Sequence, residues 1–528
     1  MTLRENIRVR EEVCSDMQIS ELDKVNNIQL NIKNLLKPFI PRNLIINELN
    51  GIYSNSLIAE MAEIMKYYDI YDNGMDFIVV NPDIIPSKLK FKKIQYLIDK
   101  EAKFMFAKTP DFKINPIDVN AENKEKSDIY QKFIDKVLKK NKISSNLLKA
   151  AKDCFIGKRV AIICNFNEEL GISINFVPSL EFIYDTDEYG NLNKIICFYN
   201  TNTENDRANQ RIRKKKYWLE NGKCHVNEAL YDGNGNLIED IIPDSETLFD
   251  YIPAVVILNE GLTGDMLGQS DVETIMEYEE YYSRMANADM DSEKGSMNSI
   301  KYTIDMDVRS TENLSNAPGS FWDLQTDQAS NNAGSVGMLE NNLNYSNALS
   351  STLNRIRDAM YEQLDIPAVS SSDLQGIVTS GKTLRAIYWS LIVNCDTKFL
   401  VWNCELEKII QCLIDGIKLY PQIGKLYIDE KLPDLDYEIN IVNNYPLPVD
   451  EEAEKTIDLS EVYNNTMSKK SYMMKWRNLT SEEADEELKQ LAIERQILED
   501  NFYNTNNDEY QNKPGDNQEA PGDTSDIE

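Results

Sequence analysis

The sequence predicts an α+β protein, and three observations carry that prediction. Up to about residue 150 the apolar residues recur at helical spacing. From Lys158 the period switches to short β-rich runs, one after another with no helix between them, which favours an antiparallel sheet over a doubly wound parallel one. From Lys382 to Asp415 the chain then runs at helical period without a Gly or Pro. A length of 528 residues leaves room for about two to four domains with cores of their own.

In chain order, "NSLIAEMAEIMKYYDIY" places Leu57, Ile58, Met61, Ile64, Met65 and Tyr68 on one helical face, and "YDNG" (Tyr71–Gly74) stops that helix. Asp128 to Lys139 repeats the pattern with Ile129, Phe133 and Val137. The runs "KRVAIIC", "ISINFV", "KIICFY", "KKYWL" and "KCHVNEALY" predict a mostly antiparallel sheet region over 158–258. Turns are signalled by "DEYGN", "DGNGN" and Asn221-Gly222.

A long helix is then expected from about residue 270, with Gly268 at the turn before it and Ser270 and Glu273 at capping-box spacing. Strand-like "IKYTIDM" (Ile300–Met306), "SFWDL" (Ser320–Leu324) and "VGMLE" (Val336–Glu340) make a small α/β head. A second helix follows, with Leu349, Leu353, Ile356, Met360 and Leu364 on one face. Two long helices bearing a compact head at their far end form a stalk. Beyond the polar stretch "DIPAVSSSDLQGIVTSGKT" comes the long helix, about 50 Å at 1.5 Å per residue. A helical block from Ser468 to Leu498 has a second capping box at Thr480 and Glu483, and the acidic residues 501–528 predict disorder.

Charge narrows the function. The chain has 56 basic and 88 acidic residues, net −32, whereas a protein that grips nucleic acid normally has the opposite sign. DNA is admissible as a passing neighbour. The eight cysteines form no C-x-x-C pair. Cys395, Cys404 and Cys412 fall on one expected helix at spacings that face the first two apart, so they read as free thiols and not as a shared metal site. The one histidine, His225, lies in an expected strand, and with no second histidine it offers little to build metal or base chemistry on. No apolar run approaches the roughly 20 residues of a membrane span, and the charged start "MTLRENIRVREEV" is unlike a secretory signal, so a cytosolic product is expected. No cofactor and no metal are expected.

One motif argues otherwise. "GIVTSGKT" (Gly376–Thr383) satisfies the phosphate-loop pattern G-x-x-x-x-G-K-[ST]. A working phosphate loop needs a buried strand leading into it, and "VSSSDLQ" (Val369–Gln375) is too polar to be one. A magnesium-binding carboxylate at a following strand end is equally hard to place, Asp429 being separated by the long helix. The simpler reading is Gly376 in a loop, Ser380 as helix cap and Gly381 in the first turn.

The order of these segments resembles bacteriophage portal proteins, of the kind found in tailed phages of Gram-positive hosts. "KLKFKKIQYLIDKEAKFMFAKTPDFKI" is similar to the family's N-terminal helix and short strand, with Ala107 where Gly is usual. "PAVVILNEGLTGDMLGQSDVETI" is similar to its Pro-initiated strand and entry into a stem helix, and "TSGKTLRAIYWSLIVNCDTKF" to the start of its kinked wing helix. "MSKKSYMMKW" and "TSEEADEELKQLAIE" resemble its crown helices. The order and separation of these pieces, from about 90 to 500, carry the resemblance.

The resemblance implies a portal fold with a wing over 1–268, stem helices at 269–298 and 342–364, a clip at 299–341 and a tunnel loop at 365–380. The long wing helix and its return take 381–445, a crown 446–500 and a tail 501–528. It implies a non-enzymatic, ring-shaped homo-oligomer, usually a dodecamer, at one capsid vertex of the virion, assembled in the host cytoplasm. Double-stranded DNA passes through it without sequence specificity during packaging and ejection. Implied partners are the terminase large subunit, major capsid and scaffolding proteins, and head-completion or neck adaptor proteins, with no membrane. Asp365, Ser370, Ser371, Ser372, Asp373, Leu374 and Gln375 would line the channel. A nucleotide-hydrolysing packaging enzyme, resting on the phosphate-loop match, is the rival reading. An acidic scaffold with no DNA role is a third.

Overall fold

The computed structural model describes residues 51–510 except 77–85, 202–208, 263–264, 266, 298–299, 308, 310–321, 323, 328, 330–333, 340–344, 370–380, 429–430, 448–450 and 478, together with residues 40, 44, 45 and 48. The chain divides into two compact units. One comprises Met1–Gly376 and Ala386–Pro446, the other Ile377–Arg385 and Leu447–Glu528.

In the larger unit, helix α1 (Gly51–Asn73) buries Leu57, Ile58, Met61, Ile64, Met65 and Tyr68, as their spacing predicts, and ends before Gly74. Helix α2 (Lys93–Phe106) buries Ile94, Leu97, Ile98, Ala102 and Met105, with Glu101 on the same face. Strand β1 (Asp111–Pro116) leads to α3 (Ala121–Lys140), capped by the Asn120 side chain accepting from the Asn123 amide at 2.7 Å. Helix α4 (Ile143–Gly157) packs on α1, α2 and α3. Each fully buried Leu, Ile or Phe here contributes about 1.5–3 kcal/mol.

The β region follows: β2 (Arg159–Asn167), β3 (Gly171–Pro178), one 3-10 turn (Ser179–Glu181), β4 (Phe182–Thr186), β5 (Leu192–Asn200), β6 (Arg211–Glu220), β7 (Lys223–Asp232), β8 (Leu237–Glu246) and β9 (Ala254–Leu258). Strands β3-β2-β9 form one sheet and β4-β5-β6-β7-β8 a meander, all pairs antiparallel. The β6–β7 hairpin turns on Asn221 (φ 53) and Gly222 (φ 76), the left-handed pair that a two-residue hairpin demands. His225 stacks on Trp218 across that hairpin, 5.5 Å between centroids, in a structural role.

Helix α5 (Asp271–Met297) follows Gly268, whose φ of +75 and 2.5 Å clearance from the Lys158 carbonyl leave no room for a Cβ. The expected Ser270–Glu273 capping box is not made. The Ser270 hydroxyl donates instead to the Ile156 carbonyl at 2.7 Å, tying the helix start to α4. Strands β10 (Ile300–Ile304) and β11 (Ser335–Leu339) pair antiparallel, with Met306 bridged to Thr326. Helix α6 (Ser346–Glu362) then packs back on α5. Three residues of the expected strand at 320–324 lie outside the described residues.

The predicted long helix is broken. Helix α7 (Gly381–Ile387) ends at Tyr388 (φ −92, ψ 11), and α8 (Trp389–Leu419) continues for 31 residues, about 46 Å. The Tyr388 ring is stacked on Phe104 at 5.8 Å, a packing contact that periodicity alone does not reveal. A helical turn α9 (Pro421–Gly424) leads to β12 (Tyr437–Val442), which pairs with β1.

The smaller unit contains α10 (Glu451–Tyr463), α11 (Lys469–Arg477) and α12 (Ser481–Tyr510). The Thr480–Glu483 capping box is formed in both directions: the Thr480 amide donates to Glu483 at 2.8 Å and the Glu483 amide to Thr480 Oγ1 at 3.3 Å. Trp476 and Lys475 both donate to Asp458, at 2.8 and 2.7 Å. Residues 501–510, expected to be disordered, continue α12. Residues 511–528 lie outside the described residues.

Candidate functional site: the root of the helix pair and the segment after it

Residues 86–92 form neither helix nor strand, and Lys92 is left-handed at φ 51, so their backbone groups need partners from elsewhere. Helix α5 supplies them from one face. Asp291 accepts from the Ser87 amide at 2.9 Å. Asn287 accepts from the Leu89 amide at 2.7 Å and donates to the Leu89 carbonyl at 2.9 Å. Glu279 accepts from the Lys93 amide at 3.1 Å, at the start of α2. With Ser283, these residues recur every fourth position and share one side of the helix. Burial raises the Glu279 carboxyl above its ordinary range, against the pull of Lys93.

At the other end of α5 lies a buried charge cluster. Lys398 of α8, its side chain 2% exposed, donates to Glu101 of α2 at 2.7 Å and to Asp271, the first residue of α5, at 2.8 Å. Its ammonium rests 4.3 Å from the centre of the Phe155 ring of α4. Four helices therefore meet at one lysine. Burial alone would lower the Lys398 pKa, but the Asp271 and Glu101 carboxylates outweigh it and raise it. Two carboxylates share one ammonium, and Glu101, which is fully buried, is pushed up to about 7 by burial and by the Asp271 charge. Its Oε2 has no hydrogen-bond partner among the described residues. Asn259 on the β9 side donates to the other Asp271 oxygen at 3.1 Å. A second buried pair braces the same region: Arg159 grips Glu60 of α1 through both carboxylate oxygens, at 2.8 and 2.7 Å, and donates to the Leu267 carbonyl just before α5.

The chain leaving α6 is anchored to this cluster. Asn394 of α8 donates to the Leu364 carbonyl at 3.0 Å and to Glu101 at 3.3 Å. Ser390 donates to the Asp365 carbonyl at 3.1 Å, and Lys100 of α2 to the Pro367 carbonyl at 3.2 Å. Leu364 and Ile366 are buried, whereas Asp365 between them is exposed and held at φ 52. A polar chain thus runs from the segment after α6 through Asn394, Glu101 and Lys398 to the first residue of α5.

The helix pair differs in charge. Helix α5 has eight acidic residues against Arg284 and Lys294, and Glu273, Glu277 and Glu293 are exposed. Helix α6 balances Arg355 and Arg357 against Asp358 and Glu362, and buries Met360 alone among its side chains.

Of the residues expected to line a channel, Asp365 is described and exposed, while Ser370, Ser371, Ser372, Asp373, Leu374 and Gln375 lie outside the described residues. So do Gly376–Ser380 of the phosphate-loop match; Gly381–Thr383 form the first turn of α7. Cys395 and Cys412 are buried on α8 and Cys404 is exposed, which separates them as their spacing predicts. Among the described residues no three His, Cys, Asp or Glu side chains are grouped to hold a metal, and no helix is long and apolar enough to cross a membrane. Sequence reasoning missed Glu101, Asp271, Asn394 and Lys398. Lys398 nonetheless gave a signal: it occupies the apolar face of α8 shared by Leu391, Cys395 and Trp402.

Comparison with known proteins adds one finding. A family model described as phage portal protein, SPP1 Gp6-like, matches residues 47–497. No curated protein matches the chain.

Proposed function

The chain belongs to the SPP1 Gp6-like family of phage portal proteins, and from that premise we propose that it forms a ring-shaped channel at one capsid vertex, through which DNA enters during packaging and leaves at infection. The observation that carries this reading is the order α5, β10–β11, α6, anchored segment and long helix α8 inside the matched region. Helices α5 and α6 are the stem, the β10–β11 region at 299–341 the clip that docks the terminase motor and then the neck proteins, and 365–380 the tunnel loop. Residues 1–268, together with the long helix and its return over 381–445, form the wing, and 446–500 the crown.

Charge supports a sliding role. About twelve copies at −32 would carry roughly −384, screened beyond about 8–10 Å at cellular salt. A bore that neutralised phosphates would release counterions and hold the DNA, whereas an acidic one lets it pass. Asp365 and the exposed carboxylates of α5 are the described groups suited to that wall.

Capsids assembled without this chain should stay empty of DNA. Normal packaging in its absence would refute the reading. The phosphate-loop match has no role in this account: Lys382→Ala should leave ring assembly and packaging intact, and loss of nucleotide binding by the isolated ring in that variant would revive the enzymatic reading.

A further inference from the structure

Helix α8 is apolar on both sides. Its inner face, Leu391, Cys395, Phe399, Trp402 and Leu406, is buried in the larger unit. Its outer face holds Trp389, Val393, Leu400 and Val401, exposed by 65%, 45%, 68% and 39%, with Thr397 and Cys404 continuing the same stripe. From Trp389 to Cys404 that face covers about 22 Å. Between Trp389 and Cys404 its charged member is Asp396, which accepts a hydrogen bond from Tyr445; beyond Cys404 follow the half-buried Glu405 and Glu407, the first paired with Lys408 and the second accepting from Asn403. An exposed helix face is ordinarily polar, and one that is hydrophobic all round is ordinarily buried.

We propose that this outer face of α8 is a contact between neighbouring copies of the chain. The inference rests on the ring reading and deepens it by assigning a surface. The occupant follows from charge. Copies at −32 each repel one another, so they can associate stably through faces that bring no further negative charge together, and interface centres are depleted of charge in general. The α8 stripe comes nearest to that requirement, Asp396 being its one exposed acid between Trp389 and Cys404, with aromatic and aliphatic side chains that a second copy would desolvate. The contact would run lengthwise along a helix that its own subunit holds rigid through Lys398 and Trp402.

Two variants and one reporter test it. Leu400→Asp and Val393→Asp alter exposed side chains, so the circular dichroism spectrum should match wild type, while the protein concentration needed for ring formation rises at least roughly a hundredfold. Leu400→Met should assemble as wild type does. Of the seven described cysteines Cys404 is the exposed one, and its alkylation by a maleimide, mapped by peptide mass spectrometry, should be at least about tenfold slower in the ring than in dilute, dissociated protein. Wild-type concentration dependence in both charged variants, or equal Cys404 reactivity in ring and monomer, would overturn the assignment and leave the ring reading standing. Cys404 already protected in the monomer would overturn it too, since the chain would then cover its own stripe. A wild-type protein that forms no ring removes the ring reading itself, and the assigned contact with it.

Discussion

Replacing Lys398 by Met tests whether the charge cluster holds the root of α5. The substitution keeps most of the side-chain volume and removes the ammonium that lies 2.7 Å from Glu101 and 2.8 Å from Asp271. Removing one partner of a buried pair costs about 3–5 kcal/mol, because a charge is left without compensation. Here two carboxylates lose their cation, so a loss of about 4 kcal/mol is expected at pH 8. The loss should shrink on acidification. Without the lysine, the buried Glu101 carboxyl, already raised, loses the cation that holds it down and rises further above its unfolded value, so the variant's native state binds more protons than its unfolded state. Its deficit is then full above that folded value and fades as pH falls toward the ordinary carboxylate range. The assay is urea unfolding of wild type and variant at pH 8 and pH 5, following the first cooperative transition by circular dichroism. A loss under about 1 kcal/mol at pH 8, or one equal at both pH values, would refute the claim that the lysine compensates both acids.

The other predictions follow the same connections. Because the folded Glu101 carboxyl keeps its proton up to about 7 while the unfolded one releases it near 4.5, wild-type stability should decline as pH rises through that window, by about 3 kcal/mol from this group. Glu101→Gln should remove that part of the decline, and identical pH slopes in urea titrations would contradict it. Asn287→Ala strips partners from both the Leu89 amide and its carbonyl, which should cost about 1–3 kcal/mol and speed hydrogen exchange at Leu89; unchanged exchange would show that the α5 zipper does not hold the segment. Gly268→Ala must strain a backbone at φ +75 and push against the Lys158 carbonyl, so the thermal midpoint should fall, and an unaltered one would contradict the close approach. Thr480→Ala should cost about 1 kcal/mol of helix stability in the smaller unit, read from its own urea transition.

What could be read from the sequence was the part governed by local rules. The buried face of α1, the Asn221-Gly222 hairpin and the Thr480 capping box each depend on residues within a few positions of one another. Ser270 shows the limit of such rules. A serine three residues before a glutamate at a helix start looks the same whether its hydroxyl caps the helix or reaches a carbonyl 114 residues away, as it does here. Strand β8, "LIEDIIPDSE", is acidic and contains Pro243, so its sequence carries little strand signal; its place at the edge of the meander tolerates both. The charge cluster was half legible. A lysine on an apolar helix face demands a buried counterion, but the sequence does not say that the acids come from positions 297 and 127 residues away. The zipper is similar: the four-residue spacing of Glu279, Ser283, Asn287 and Asp291 is visible, and the partner of Glu279, Asn287 and Asp291, a run of backbone groups at 87–93, carries no side-chain signature.

The most direct test of the account is native mass spectrometry combined with negative-stain imaging of the full chain, purified without nucleotide and also recovered from capsids. The account predicts closed rings of about twelve copies around a central hole wide enough for duplex DNA. A chain that remains monomeric from both sources, or that assembles into particles without a through-hole, would contradict it.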